Sequence, residues 1–246
     1  MDSSQISLVP ANLAHVLERV ARAAAAAGRS CQDVDVMLAV KTQPVDVVLA
    51  GLEAMARARP GRPVLLGQNR VQEMTGTGPA LAAPDLPAHE MRLIGPLQSN
   101  KVNHTLAWAT GVDSVDSLRL AQRLSAACDR QGRDLDVRVE VNVSGEASKS
   151  GSRPEEALDL ACAVAALPHL HLRGLMTIGL NSDDEQAVRA GYAALRSLAE
   201  VIATSGDAGT EACTDLSMGM TNDLEWAVAE GATTVRVGRA VFGERR

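Results

Sequence analysis

A chain of 246 residues, 46 % apolar and 22 % charged, is long enough to close a sizeable core around one large α/β domain. Its net charge of −6 and its sparse aromatics (two Trp, one Tyr, one Phe) argue against a nucleic-acid binder, which needs a basic surface and stacking platforms. Cys31, Cys128, Cys162 and Cys213 lie far apart with no C-x-x-C, so reduced, buried thiols are expected and no metal site is indicated.

The N-terminus carries no basic-then-apolar leader, and no uncharged run reaches the roughly 20 residues that span a bilayer. A cytosolic location without membrane contact is expected. Residues 1–9 read as a flexible N-terminus and residues 10–246 as one barrel domain. "ANLAHVLERVARAAAAAG" (11–28) reads as a helix, with apolar residues at helical spacing, many alanines and Gly28 as its stop.

From there, short β-rich runs alternate with helical ones. Strands are predicted at 34–40, 63–67, 91–95, 111–115, 136–144, 172–178, 213–219 and 233–238. Helices follow the first seven, near 45–58, 69–82, 98–108, 116–130, 153–166, 183–204 and 221–230. Ser152 with Glu155 and Ser182 with Glu185 have the spacing of capping boxes. Eight strands alternating with helices imply parallel pairing and a single (β/α)8 TIM barrel; an open doubly wound sheet is the competing fold, but the glycine fingerprint it often carries is missing. Only "FGERR" follows the last strand, so the eighth helix is truncated, and the N-terminal helix is expected to cover that part of the barrel.

Function in such barrels gathers at the C-terminal strand ends. The first strand ends in "AVKT", placing Lys41 where a strand end either lets a lysine reach solvent or puts an amine at a pocket mouth. The seventh runs into "SMGM" (217–220), a hydroxyl and flexible backbone before a helix, and the eighth into "VGRA" (237–240). The loops after strands seven and eight are the usual phosphate cradle of these barrels. A phosphate cradle near a strand-end lysine suggests pyridoxal 5′-phosphate held as a Schiff base; a sugar-phosphate aldolase would use similar parts. Arg236 stands alone as a charge in an apolar strand, where it either forms a buried salt bridge or donates to the pyridine nitrogen and weakens the ring as an electron sink.

These motifs resemble the pyridoxal phosphate homeostasis proteins, whose barrel is similar to the N-terminal domain of alanine racemase. The resemblance runs from about residue 10 to the end, through "LAVKTQP", "GQNRVQE", "LIGPLQSNKVN", "VDSVDSLRLAQRL", "VNVSGEASKSG", "LRGLMTI", "LSMGM" and "VRVGRAVFG". It implies that Lys41 forms the internal aldimine and that Asn69 lies beside the ring. Ser217, Met218 and Gly219 would hold the phosphate from one side, Gly238 and Arg239 from the other, and Arg236 would face the pyridine nitrogen. Four positions depart from the family pattern: Val40 replaces a small hydroxyl residue, Gln68 and Arg70 replace Glu and Tyr, and Arg239 replaces Thr.

The resemblance implies a carrier that buffers pyridoxal 5′-phosphate and delivers it to apo-enzymes requiring it, with free amino acids as further partners. Two-sided proton transfer at an amino-acid α-carbon needs a second acid/base opposite the lysine. Tyr192, the lone tyrosine, falls inside a predicted helix and reads as packing. The alternatives are a modest racemase or lyase using Lys149 or a thiol, and a cofactor-free aldolase. A monomer is expected. "HLH" (169–171) lies at the wrong barrel end for the site, "GTGPAL" (76–81) lacks the third glycine of a nucleotide loop, and Arg57, Arg59 and Arg62 read as a solvated cluster. "KSG" (149–151) and Asn142 sit near the expected mouth.

Overall fold

The predicted strands pair in chain order. The computed structural model describes residues 3–146 and 148–243. Within them β1 (Asp35–Ala39), β2 (Val64–Gln68), β3 (His89–Leu93), β4 (Gly111–Val115), β5 (Leu135–Glu140), β6 (Leu170–Met176), β7 (Asp215–Ser217) and β8 (Thr234–Val237) close into a barrel. Each pairs with the next in parallel, and β8 returns to β1 with Met37 beside Arg236. The connecting helices are α2 (Val45–Ala58), α3 (Val71–Leu81), α4 (Val102–Leu106), α5 (Leu118–Gln131), α6 (Pro154–Ala165), α7 (Glu185–Ala203) and α8 (Leu224–Ala229). The eighth crossover shrinks to α9 (Arg239–Phe242), and α1 (Ser3–Ala26) precedes the barrel.

As expected, α1 covers the place of the missing eighth helix. Asn12 Nδ2 donates to Val241 O at 3.0 Å, Arg29 Nη1 donates to Val228 O at 2.9 Å, and Arg19 pairs with Glu225 at 2.7 Å. The loose reading of 1–9 is corrected for residues 3–9, which are helical. Pro10 suits a helix start, since a first-turn proline loses no intrahelical bond. Tertiary contacts carry the helix further back: Val9 is fully buried, and Gln5 Nε2 donates to Phe242 O at 2.8 Å.

Neither expected capping box forms. Ser152 Oγ instead donates to Glu140 O, and α6 begins at Pro154 behind Arg153. The α7 cap is Asp184, which accepts from the Ala187 amide, while Ser182 caps the turn before it. The arginines of the 57–62 cluster are tethered. Arg59 donates to Val34 O and Cys31 O and Arg62 pairs with Asp35 at the start of β1, while Arg57 makes only a solvated i,i+4 pair with Glu53 on α2. Among the cysteines, Cys128 and Cys213 are buried, Cys162 is partly so and Cys31 is exposed.

Alternation along each strand separates two interiors. On β1, Val36 and Leu38 face the helices and join the large apolar shell around the barrel. Met37 and Ala39 face the lumen, where they form a small cluster with Ile94 and Leu65. The opposite lumen wall is charged. Arg92 on β3 donates to Asp113 on β4 at 2.8 Å, Asp113 accepts from Arg138 on β5 at 2.8 Å, and Arg138 reaches Asp215 on β7 at 2.8 Å. Burial pushes the Asp113 carboxyl up, but the guanidiniums of Arg138 and Arg92 outweigh it and hold the group below the usual carboxylate range.

A buried ion pair broken on one side leaves an uncompensated charge. Asp113→Ala is expected to cost about 3–5 kcal/mol in urea unfolding at neutral pH. Because Asp113 is held low in the folded state, its contribution is present above the ordinary carboxyl value of about 4 and lost as pH falls below it. The wild-type and variant stability curves should therefore converge in acid.

Candidate cofactor-binding site

The C-terminal rim brings the strand-end motifs together through main-chain contacts. Beyond β1, the Val40 amide donates to Gly67 O at 3.0 Å, tying the lysine segment to β2. Lys41 follows in a turn, half-buried, and Thr42 is left-handed with φ 61°. A β-branched residue in that region costs roughly 1–2 kcal/mol, so the surrounding turn holds the backbone next to the lysine in a strained conformation. Half-buried Asn69 lies beyond β2, against the end of β3. A Cβ on Gly95 would come within 2.2 Å of Asn69 O, and Ser114 Oγ donates to Gly95 O at 2.7 Å. The glycine therefore sets how closely these two rim segments approach.

On β7, Ser217 is fully buried, and its Oγ and O both accept from Arg236 Nη1, at 2.9 and 2.6 Å. Arg236 Nη2 donates to Thr177 O at 2.7 Å. The guanidinium thus spans β6, β7 and β8, held by neutral oxygens rather than by the salt bridge that was the alternative expectation. Burial lowers its pKa, and the surrounding Tyr192, Asp113, Glu140 and Asp223 oppose that shift.

Gly219 has φ +86°, and a Cβ there would meet Ala227 of α8 at 2.3 Å. Its carbonyl accepts from the Arg236 amide at 3.0 Å. Asp223 braces the loop that follows, accepting from the Met220 amide at 2.6 Å and from the Tyr192 hydroxyl at 2.7 Å. Tyr192 is fully buried, in keeping with the packing role expected of it. Gly238 sits close to β1, where a Cβ would stand 3.1 Å from Ala39 O.

Two predicted site residues point elsewhere. Met218 packs into the apolar shell, and its amide already donates to Thr234 O at 3.1 Å. Arg239 is exposed on α9. The departures from the family pattern fall on the same outward positions. Val40 joins the outer shell, Gln68 Nε2 donates to Thr77 of α3 at 2.9 Å, and Arg70 is exposed. Asn142 organises the β5–α6 loop, donating to Glu146 O and accepting from Ser144 Oγ, both at 2.9 Å. Lys149 pairs with Glu146 at 2.6 Å and donates to Gly179 O at 2.9 Å, bridging to the loop after β6. His169 and His171 pair with Asp134 at the N-terminal end of β6, away from the rim.

Sequence reasoning passed over Glu140. It is the last residue of β5, 2 % exposed, and its Oε2 has no hydrogen-bond partner among the described residues. Burial pushes its carboxyl up to about 7, with Asp116 adding to the effect and Arg236 opposing it. The signal was present in "DVRVEV", where charges recur at every second position of an apolar strand, as Arg236 does alone in its own.

The buried arginine, the close-approach glycines and the unpartnered carboxyl oxygen fit a polar, ring-shaped guest with an anionic tail. Fold and rim together define a barrel of the alanine racemase N-terminal type, and the family described as "Alanine racemase, N-terminal domain" matches residues 11–246. A Pseudomonas aeruginosa pyridoxal phosphate homeostasis protein is 42 % identical over 240 residues, covering 98 % of this chain and 97 % of its own. The chain belongs to the pyridoxal phosphate homeostasis protein family. A crystal structure of an unknown protein from Bifidobacterium adolescentis superposes with a TM-score of 0.89 at 37 % identity, covering 98 % of this chain and 97 % of that one. PipY of Synechococcus elongatus with PLP bound gives 0.73 at 30 % identity, over 86 % of this chain and 93 % of that one.

Gly95→Ala sets a methyl against backbone rather than a yielding side chain. Its expected cost is about 1–3 kcal/mol in melting or urea unfolding, with displacement of Asn69. Retention of wild-type stability would show that the two rim segments can separate freely.

Proposed function

We propose that the barrel mouth binds pyridoxal 5′-phosphate and holds it for intracellular delivery to apo-enzymes that require it. The observation that carries this reading is the Arg236 guanidinium, fully enclosed and fixed by Ser217 and Thr177 at the level of the rim. Three of its five N–H donors are engaged by those residues, and the rest can meet a neutral ring nitrogen. An arginine in that position keeps the nitrogen unprotonated, which suits storage better than carbanion chemistry.

When bound, pyridoxal 5′-phosphate supplies an aldehyde that condenses with a lysine amine and releases water. Lys41, on the turn after β1, is the amine in position to receive it. Asn69 would line the ring's side. Ser217 can donate its hydroxyl proton to a phosphate oxygen while still accepting from Arg236. Gly219 and Gly238 would offer close backbone approach to the phosphate. Met218 serves this grip only as the spacer that aims Gly219.

The fixed place of Tyr192 supports a carrier rather than a racemase. Its hydroxyl is committed to Asp223 in the core, and burial, together with Asp223, drives its pKa far up, so it is a poor proton donor or acceptor for the mouth. Release to another protein then requires only hydrolysis or exchange at the lysine, which a single barrel can support.

The purified protein is expected to absorb visible light with added pyridoxal 5′-phosphate, and borohydride should fix the chromophore to the chain. Lys41→Ala should abolish the visible band. A colourless wild-type protein that fails to take up the aldehyde overturns the reading.

A further inference from the structure

A closed barrel of eight strands places β1 and β5 on opposite walls, four strands apart in either direction. Lys41 leaves the top of β1, and Glu140 is the last residue of β5. The Glu140 side chain is inside: it follows Arg138 at the strand's period of two, and Arg138 is bonded across the lumen to Asp113. Its Oε2 is buried without a hydrogen-bond partner among the described residues. A lone buried carboxyl oxygen costs free energy unless something satisfies it.

We propose that Glu140 is a ligand-positioning residue, donating a hydrogen bond from its carboxyl to an acceptor oxygen on the bound ring. The inference deepens the reading of the mouth as a pyridoxal phosphate site and rests on it. Arg236 does not meet this need within the chain, because the donors it uses go to Ser217 and Thr177. A ring that carries an ionised oxygen beside its aldehyde supplies an acceptor for which a neutral carboxyl is the matching donor.

The charged groups facing Glu140 are Asp116 beyond β4 and Arg236 on β8. Arg138 lies two residues back on its own strand, bonded to Asp113 and Asp215. On the neighbouring β6 side, Met176 and Thr177 carry no charge. Burial and Asp116 both favour the protonated carboxyl, and the group titrates at about 7. Below that value Glu140 donates; above it, a carboxylate confronts the ligand's own anionic oxygen.

Affinity then scales with the neutral fraction of Glu140. Wild-type protein should bind pyridoxal 5′-phosphate about tenfold more weakly at pH 8 than at pH 6 through this group alone, beyond any slope common to all variants. Glu140→Gln keeps the shape and a donor N–H but does not titrate, so its affinity should lack that tenfold fall. Asp116→Asn removes the neighbouring anion and should move the wild-type midpoint to lower pH. The experiment is an absorbance or fluorescence titration of the full chain with pyridoxal 5′-phosphate from pH 6 to 8.5, with melting curves to show that each variant is folded. Equal slopes in wild type and Glu140→Gln, or an unmoved midpoint in Asp116→Asn, overturn the proposal while leaving the cofactor reading standing. Failure of the wild type to bind at any pH overturns both.

Discussion

A guanidinium buried in the lumen of a barrel must be held from several sides, and Arg236 organises the upper half of this one. Its donors reach Ser217 on β7 and Thr177 beyond β6, so three consecutive segments of the barrel wall are fixed to a single planar group. Unlike a carboxylate partner, the carbonyl oxygens do not neutralise it. Burial therefore disfavours the charge, and compensation comes at longer range from Asp113, Glu140 and Asp223. A positive, directional group sits under the mouth, with three hydrogen bonds to it among the described residues.

The two charged layers of the lumen behave differently. The layer through Arg92, Asp113, Arg138 and Asp215 alternates in sign and is closed by short hydrogen bonds, so it serves as a cross-brace between β3, β4, β5 and β7. Two residues nearer the rim, Ser217 and Glu140 succeed Asp215 and Arg138, and the alternation stops. There the barrel has one cation, one hydroxyl and one carboxyl that burial tends to keep neutral. The lower layer braces the walls through paired charges, although Arg92 Nη2 and Arg138 Nε have no partner among the described residues, whereas the upper layer pairs no carboxylate with its cation.

The barrel itself was legible because its signals are periodic: β-branched runs separated by helical stretches fixed strand number, order and pairing. α2 matches its predicted span, while β7 is shorter than predicted, beginning at Asp215 and ending at Ser217, where the rim loop takes over. What was illegible depends on long-range contact. The helix before Pro10 exists because Gln5 bonds to the far end of the chain and Val9 is buried in the core. The capping boxes failed because each helix starts later than its serine: Ser152 turns to Glu140 O while α6 begins behind Arg153, and α7 takes Asp184 as its cap. At the site, Arg236 was readable as a solitary charge among apolar residues. Glu140 carried the same signal, diluted by its neighbour Arg138, and only the orphaned oxygen distinguishes the two.

The positions that differ from the family pattern show how the site tolerates drift. Val40 and Gln68 occupy the outward phase of their strands, where a hydroxyl, a carboxylate or an amide contacts helices and not the lumen. Exchanges there alter packing against α3 or the shell and leave the mouth untouched. Gly67, the inward neighbour of Gln68, has no such latitude: a Cβ would strike Met37 and Ile94 at 2.8 Å. The period of two along each strand therefore divides the motif residues into those that face the lumen and those that face the helices. Motif matching weighs both equally, whereas the physical constraint on the site falls on the inward set alone.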